Sequence, residues 1–335
     1  MAPAGPDRRP TLADVAARAG VSTALVSIVM RGAPGASAAT RDRVQRAAAD
    51  IGYRPDSRAR LLRSARSRLL GVVFGVQQAF HGDLVSGLYT AAEQAGYELA
   101  LSAVTPDRDD RRAVDGLLRD RCEALVLLGP QLPTAALADL AARLPVVVVA
   151  RPVRSSAVDV VRTADDAGLR LAVDHLVALG HRDVVHVDGG RAPGAAERRR
   201  GYREAMRAHG LQARVVDGGP TEDDGAAAAR RLLDGPLPGA VTVFNDRCAL
   251  GVLDVLRRAG RAVPGEVSVV GYDDSRIARL ASVDLTSVAQ DVAQLTTLAV
   301  GRALARLDGT PVERRELVVP PRLVVRSTTA PPRPR

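Results

Sequence analysis

Residues 11–32 read TLADVAARAGVSTALVSIVMRG. Thr11 can cap a helix from Leu12 to Ala19, in which Leu12, Val15, Ala16 and Ala19 make one apolar face before Gly20 stops it. Ser22 can cap a second helix with Leu25, Val26, Val29 and Met30 inward and Thr23, Ala24, Ser27, Ile28 and Arg31 outward. The run GAPGAS then breaks the chain, and Ser37 opens a third helix, Ala38 to Ile51, closed by Gly52. Only Gly20 and Val21 separate the first two helices. Such a pair makes a helix-turn-helix whose second helix can enter the major groove of DNA, although the same periodicity suits an ordinary αα-hairpin.

Charge is concentrated in this part of the chain. Residues 1–70 hold 13 Arg against 5 acidic residues, a net +8, while the rest of the chain, with 34 Arg against 33 acids, is only +1. Every basic residue is Arg and none is Lys, so composition bias explains the choice of cation but not its asymmetry. A small basic module on a nearly neutral body is the footprint of a polyanion binder, because neutralised phosphates release condensed counterions.

The run from Thr11, followed by ATRDRVQRAAADIGYRP and RARLLRSARS, resembles the start of the LacI family of bacterial transcriptional regulators, continuously to about Arg68 and more weakly beyond. The resemblance implies a DNA interface of Thr11, Ser22, Thr23, Ala24, Ser27, Ile28, Arg31 and Tyr53, with Thr23 and Ala24 reading base edges. Both are small and offer methyl contacts and one hydroxyl rather than bidentate bonds. Ile28 stands where the family usually has Arg, and Arg31 where it usually has Asn, so the operator cannot be copied from other members. The resemblance also implies a hinge helix over residues 56–68 in which Leu62 wedges into the minor groove and Ala59 permits close approach.

From Leu69 on, short apolar runs alternate with amphipathic helices: LLGVVFG, ELALSAV, ALVLL, VVVVA, DVVHVDG, ARVVDG, AVTVF and VSVVGYD. This is the pattern of parallel sheets in doubly wound α/β layers. The expected fold is therefore an N-terminal all-α helix-turn-helix domain (residues 11–55) followed by a two-lobed α/β domain (69–326) like the periplasmic binding proteins. By resemblance, lobe 1 takes about 69–158 and 291–320, and lobe 2 about 159–290. Residues 1–10 and the Pro-rich 327–335 are expected to be disordered.

Ligands of open parallel sheets sit beyond the carboxyl ends of strands. The residues there are Phe80, His81, Arg151, Asp188, Phe244, Asn245, Asp246, Tyr272, Asp273 and Asp274, and Arg198 begins a helix nearby. The resemblance selects Arg198 with Gly201, Asn245, Asp273 and Gln290 as effector contacts, joined by Phe80, His81, Arg151 and Phe244. Singly, each has a plainer role: Asn245 as a helix cap, Asp273 as a turn residue, Arg198 in a solvated ERRR run. Together, carboxylate, amide and guanidinium around aromatic surface suit a polyhydroxylated ligand. Ala150 and Pro220 replace an Asp and an aromatic common in the family, which leaves the ligand unnamed; the resemblance implies a sugar or sugar derivative as the family's commonest class, with nucleobases as the alternative.

No Gly-rich phosphate loop, zinc-ligand pair or nucleophile elbow appears, and His81, His175, His181, His186 and His209 are scattered. The expectation is a non-enzyme without cofactor or metal, a repressor acting on a near-palindromic double-stranded operator as a homodimer, with a tetramer left open. The absence of an export signal or an apolar span points to the cytoplasm and argues against the competing reading, a solute-binding protein with the same two-lobed fold. Cys122 and Cys248 lie in apolar runs and read as buried thiols.

Overall fold

Four consecutive valines, Val146–Val149, cannot be satisfied by a sheet with one wet face, and all four are buried. Branched side chains on both sides of a parallel strand require helices on both sides. The computed structural model describes residues 10–30, 32–53 and 66–333. It divides into two units, one ending at Ser67 and one beginning at Arg68. The expected positions Arg31, Ala59 and Leu62, most of the hinge segment and nearly all of residues 1–10 lie outside the described residues.

The first unit contains α1 (Leu12–Ala19), α2 (Thr23–Met30) and α3 (Ala38–Asp50). Thr11 and Asp14 form a reciprocal capping box at the start of α1, and Gly20, at φ +64°, turns the chain in the left-handed region that glycine tolerates. Helices α1 and α2 meet at 104°, within the range of a helix-turn-helix. Their shared core is Val15, Val26 and Val44, each fully buried, with Ala16, Ala19, Val29, Ala47 and Ala48 around them.

The second unit is built on two six-stranded sheets. Lobe 1 holds β1 (Leu69–Gly75), β2 (Glu98–Val104), β3 (Ala124–Leu128), β4 (Val146–Val149), β5 (Asp159–Thr163) and β11 (Glu316–Val319), in the order β11-β5-β4-β3-β1-β2 and parallel throughout. Its helices are α4 (Ala79–Gln94), α5 (Asp110–Arg119), α6 (Thr134–Ala141) and α11 (Val292–Leu307). Lobe 2 holds β6 (Val184–Val187), β7 (Arg214–Val216), β8 (Ala240–Val243), β9 (Ser268–Asp273), β10 (Thr286–Ala289) and β12 (Arg322–Val324), ordered β12-β10-β9-β8-β6-β7, with β12 antiparallel to β10. Helices α7 (Asp165–Ala178) and α8 (Ala195–Ala208) cover one face of that sheet, and α9 (Glu222–Leu233) and α10 (Asp246–Arg258) the other.

Two expectations are corrected. Residues 159–163, assigned to lobe 2, form β5 and pair between β4 and β11 of lobe 1, so the first crossover falls after Thr163. The charged Asp159 and Arg162 interrupt the apolar run that announces the other strands. The second crossover falls at Gln290, and the third is Pro320–Pro321 between β11 and β12. Nor is the tail from Ser327 to Arg333 loose. Thr328 is buried, donating to the Val269 carbonyl at 2.7 Å and accepting from the Thr286 N–H at 2.9 Å. His175 and His181 hold Thr329 and Ala330 at 3.0 and 2.9 Å. Hydroxyls and imidazoles supply the partners that proline cannot, and these two histidines are packing residues.

Candidate functional site

The outer surface of α2 begins at its cap. Ser22 Oγ accepts from the Leu25 N–H at 3.2 Å, so capping accounts for this hydroxyl in the free protein. Thr23 and Ala24 are exposed in the first turn, while Ser27 is half-buried. Ile28, expected to face outward, is also half-buried, and its carbonyl accepts from the Ala33 N–H at 3.1 Å in the loop after the helix. Thr11 is exposed beside its cap bonds, and Tyr53 packs partly against the helical core.

In the second unit the residues expected at the strand ends do not all converge. Arg198, in the first turn of α8, is buried with its guanidinium 3.6 Å from the ring centroid of Tyr272 and 4.7 Å from that of Phe244. Its Nε donates to Asp165 Oδ1 at 2.8 Å, its Nη1 to the Phe244 carbonyl at 2.6 Å, and its Nη2 lies 3.6 Å from Asp273 Oδ1. Asp273 in turn accepts from Gln290 Nε2 at 2.8 Å, and Gln290 Oε1 accepts from Thr163 Oγ1 at 2.6 Å. One connected network thus runs from α8 through the end of β9 to two of the three crossovers.

Gly201, one turn after Arg198, brings α8 against α7: a Cβ there would stand 2.2 Å from the Asp166 carbonyl oxygen. The glycine of the Arg-x-x-Gly arrangement therefore sets how deep Arg198 sits. Asp273 itself has φ +103°, a conformation side chains rarely adopt, kept by the network around it.

Burial dominates the electrostatics. It raises the Asp273 carboxyl to about 7, against the lowering pull of Arg198 and with help from Asp246. Asp246, at the start of α10, is likewise raised to about 6 by burial although Ser287 Oγ and the Ser275 N–H donate to it. For Arg198 burial works against the charge, yet Asp165 and then Asp273 overcome it and raise its pKa.

Four expected contacts are placed differently. Phe80 joins Leu84 and Leu88 on the buried side of α4, within the lobe 1 core, because positions four apart share a helix face. Arg151, after β4, donates to the Pro130 carbonyl and is held against the loop that follows β3. Asn245 caps α10 by accepting from the Cys248 N–H at 2.8 Å and donates to the Pro220 carbonyl at 3.2 Å, the plainer role. His81 accepts the Gly75 N–H through Nδ1 at 3.0 Å; burial lowers its pKa to about 4, so it stays neutral with its proton on Nε2. It lines a cavity of about 350 Å³ at the strand ends of lobe 1, with Gln77, Gln78, Thr105, Asp110 and Gln131, which Pro193 of lobe 2 also touches. A larger hollow, about 800 Å³, lies at the opposite ends of the lobe 2 strands beside the C-terminal strap.

Asp165 and Thr163 are the network members that sequence reading missed. Thr163 ends β5 and Asp165 follows it at the start of α7; the charged residues of that strand hid it, so the strand-end rule was never applied there. Cys122 and Cys248 are buried, and burial raises both thiols to about 12.

Two family models match this chain: residues 11–56 fit "Bacterial regulatory proteins, lacI family", and residues 173–329 fit a periplasmic binding protein-like domain. The chain is 33% identical over 330 residues to the HTH-type transcriptional regulator GalR of Escherichia coli (strain K12), covering 96% of each protein. Among solved structures it is similar to a transcriptional regulator CelR–cellobiose complex, at 33% identity and TM-score 0.71, covering 96% of this chain and 100% of that one. It is also similar to the lac repressor dimer bound to operator and an anti-inducer, at 28% identity and TM-score 0.82 with the same coverage. No single described helix is long and apolar enough to cross a membrane. With its basic three-helix module and two-lobed body, the chain belongs to the lacI family of bacterial regulatory proteins and is a DNA-binding transcriptional regulator.

Proposed function

We propose that this regulator is a cytoplasmic repressor that binds a near-palindromic operator as a homodimer and responds to a carbohydrate held between its two lobes. The observation that carries the effector reading is the network Arg198–Asp273–Gln290–Thr163. It offers charged and amide groups beside the faces of Phe244 and Tyr272, the combination that grips sugar hydroxyls and the apolar side of a sugar ring. It also touches two crossovers, where any change of lobe angle must be absorbed. The bound cellobiose in the CelR structure supports the ligand class, and the operator-bound lac repressor dimer supports the mode of DNA binding. His81 and the lobe 1 cavity would complete the site from the other side. Thr23 and Ala24 would read bases, with Ser22, Ser27, Tyr53 and Thr11 toward phosphates; Ile28 would make only apolar contact.

Operator affinity, measured with and without a panel of mono- and disaccharides, tests this reading. A ligand shifts operator binding only through its differential affinity for two lobe arrangements, typically 5- to 150-fold. The expected result is such a shift with at least one sugar and its loss in Arg198→Ala. A panel that leaves operator affinity unchanged would refute the carbohydrate assignment. A monomer bound tightly to a half-site would refute the dimer.

A further inference from the structure

An arginine in a ligand cleft can recognise hydroxyls or it can recognise anions, and its own partners decide which. Here the guanidinium of Arg198 is already committed. Nε is bound to the Asp165 carboxylate at 2.8 Å, Nη1 to a backbone carbonyl at 2.6 Å, and Nη2 faces Asp273 at 3.6 Å. Asp165 and Arg198 are both almost wholly buried, with side chains 3% and 7% exposed, so water does little to screen the pair.

Most of the arginines around this guanidinium are themselves paired. Arg199 is paired with Asp188, Arg279 and Arg326 with Asp274, and Arg247 with Glu222 and the Gln77 carbonyl. Arg151 is held at the Pro130 carbonyl. Helix N-termini are the other ready-made anion sites of such a fold, and these carry the protein's own acids: Asp165 and Asp166 in the first turn of α7, Glu197 in that of α8 and Asp246 in that of α10. An anionic ligand at Arg198 would meet carboxylates at three helix N-termini of lobe 2, although the first turn of α4 across the cleft carries none.

We propose that Asp165 is a specificity-determining residue, which by neutralising Arg198 makes the cleft one for uncharged polyhydroxylated ligands and excludes their acidic and phosphorylated forms. This rests on the reading of the cleft as the effector site and adds the charge class of the ligand. Exclusion works by placing like charge and unpaired acceptors against the wrong ligand rather than by improving contacts to the right one. A sugar hydroxyl can donate to Asp165 or Asp273 and accept from a remaining Nη hydrogen of Arg198; a carboxylate or phosphate oxygen can only accept.

The test is calorimetric titration of the full-length protein with matched pairs: galactose with galacturonate, glucose with glucuronate and glucose 6-phosphate, cellobiose with cellobionate. The expected result is that an uncharged member binds at least about tenfold tighter than its acidic counterpart. In Asp165→Asn the gap should narrow about tenfold, chiefly because the acid binds better, with thermal midpoint and operator affinity recorded to establish that the variant is folded. An acid or phosphate bound as tightly as its neutral partner, or a panel in which no uncharged sugar binds, overturns the proposal on the wild-type protein alone. A neutral preference left unchanged in folded Asp165→Asn removes Asp165 as its cause. Neutral binding that survives Arg198→Ala at full strength shows instead that the cleft lies elsewhere, and the proposal falls with it.

Discussion

Gln290 donates its Nε2 hydrogen to Asp273 Oδ1 at 2.8 Å, and so a crossover residue holds the carboxylate that ends β9. Gln290→Leu keeps most of the volume but leaves Asp273 and the Thr163 hydroxyl without this partner in a buried place. The expected cost is about 1–3 kcal/mol for each group left unsatisfied, read as a lower midpoint in urea denaturation. Thr163→Val breaks only one of the two bonds and should cost less. Equal stability of Gln290→Leu and the parent protein would contradict the network.

Gly201→Ala places a methyl group 2.2 Å from the Asp166 carbonyl oxygen, a backbone atom that cannot step aside. Helices α7 and α8 must separate, at a cost of about 1–3 kcal/mol for overpacking, and ligand affinity should fall because Arg198 moves with α8. Gly301→Ala in α11 is the matching control: nothing lies within 4 Å of the added Cβ. That change should be neutral or raise the thermal midpoint slightly, since alanine lowers the entropy of the unfolded chain.

Larger side chains at Thr23 or Ala24 should alter which operator is preferred, whereas loss of arginines in the basic N-terminal module should weaken binding to all sequences and flatten its salt dependence. Selection from randomised half-sites distinguishes the two. An unchanged preference when both Thr23 and Ala24 are altered would refute the base-reading assignment.

The pH dependence of stability should carry opposing contributions. Burial holds Asp273 up at about 7; between roughly pH 4 and 7 the folded protein keeps a proton that the unfolded chain has released, so this group adds stability as pH falls and loses it as pH rises through 7. His81 and His186 are pushed down by burial to about 4 and 3. They act in the opposite sense, with stability present above pH 6.5 and lost as pH drops. Asp273→Asn removes only the first contribution, so its stability should fall more steeply than the parent's between pH 7 and 5, by up to about 1.4 kcal/mol per pH unit. Denaturation midpoints across that range check it, and parallel curves for the two proteins would exclude Asp273 as a proton holder.

Much of the fold was legible in local patterns. The first helix was read to the residue from Thr11, its apolar spacing and Gly20, because caps and periodicity are properties of neighbouring residues. Eight strands announced themselves as apolar runs. Strand β5 did not, because Asp159 and Arg162 are paired across the fold, with Arg306 at 2.7 Å and Glu316 at 2.6 Å, and such partners cannot be seen in the run itself. The tail misled for the same reason: TTAPPRPR has the composition of a loose end, but His175, His181 and Ser268 wait for it elsewhere in the chain.

The candidate site divides along the same line. The sequence by itself determined that polar groups gather at strand ends, since strand periodicity fixes where each chain segment stops, and its resemblance to the family singled out Arg198, Asp273 and Gln290. Only the tertiary structure decided what these groups do to one another. It turned Asn245 into a cap and Phe80 into core, and it set Asp165 against Arg198 across 33 residues of sequence. Burial and charge pairing depend on which distant segments the packing of α7 on α8 brings together, and no local pattern encodes that distance.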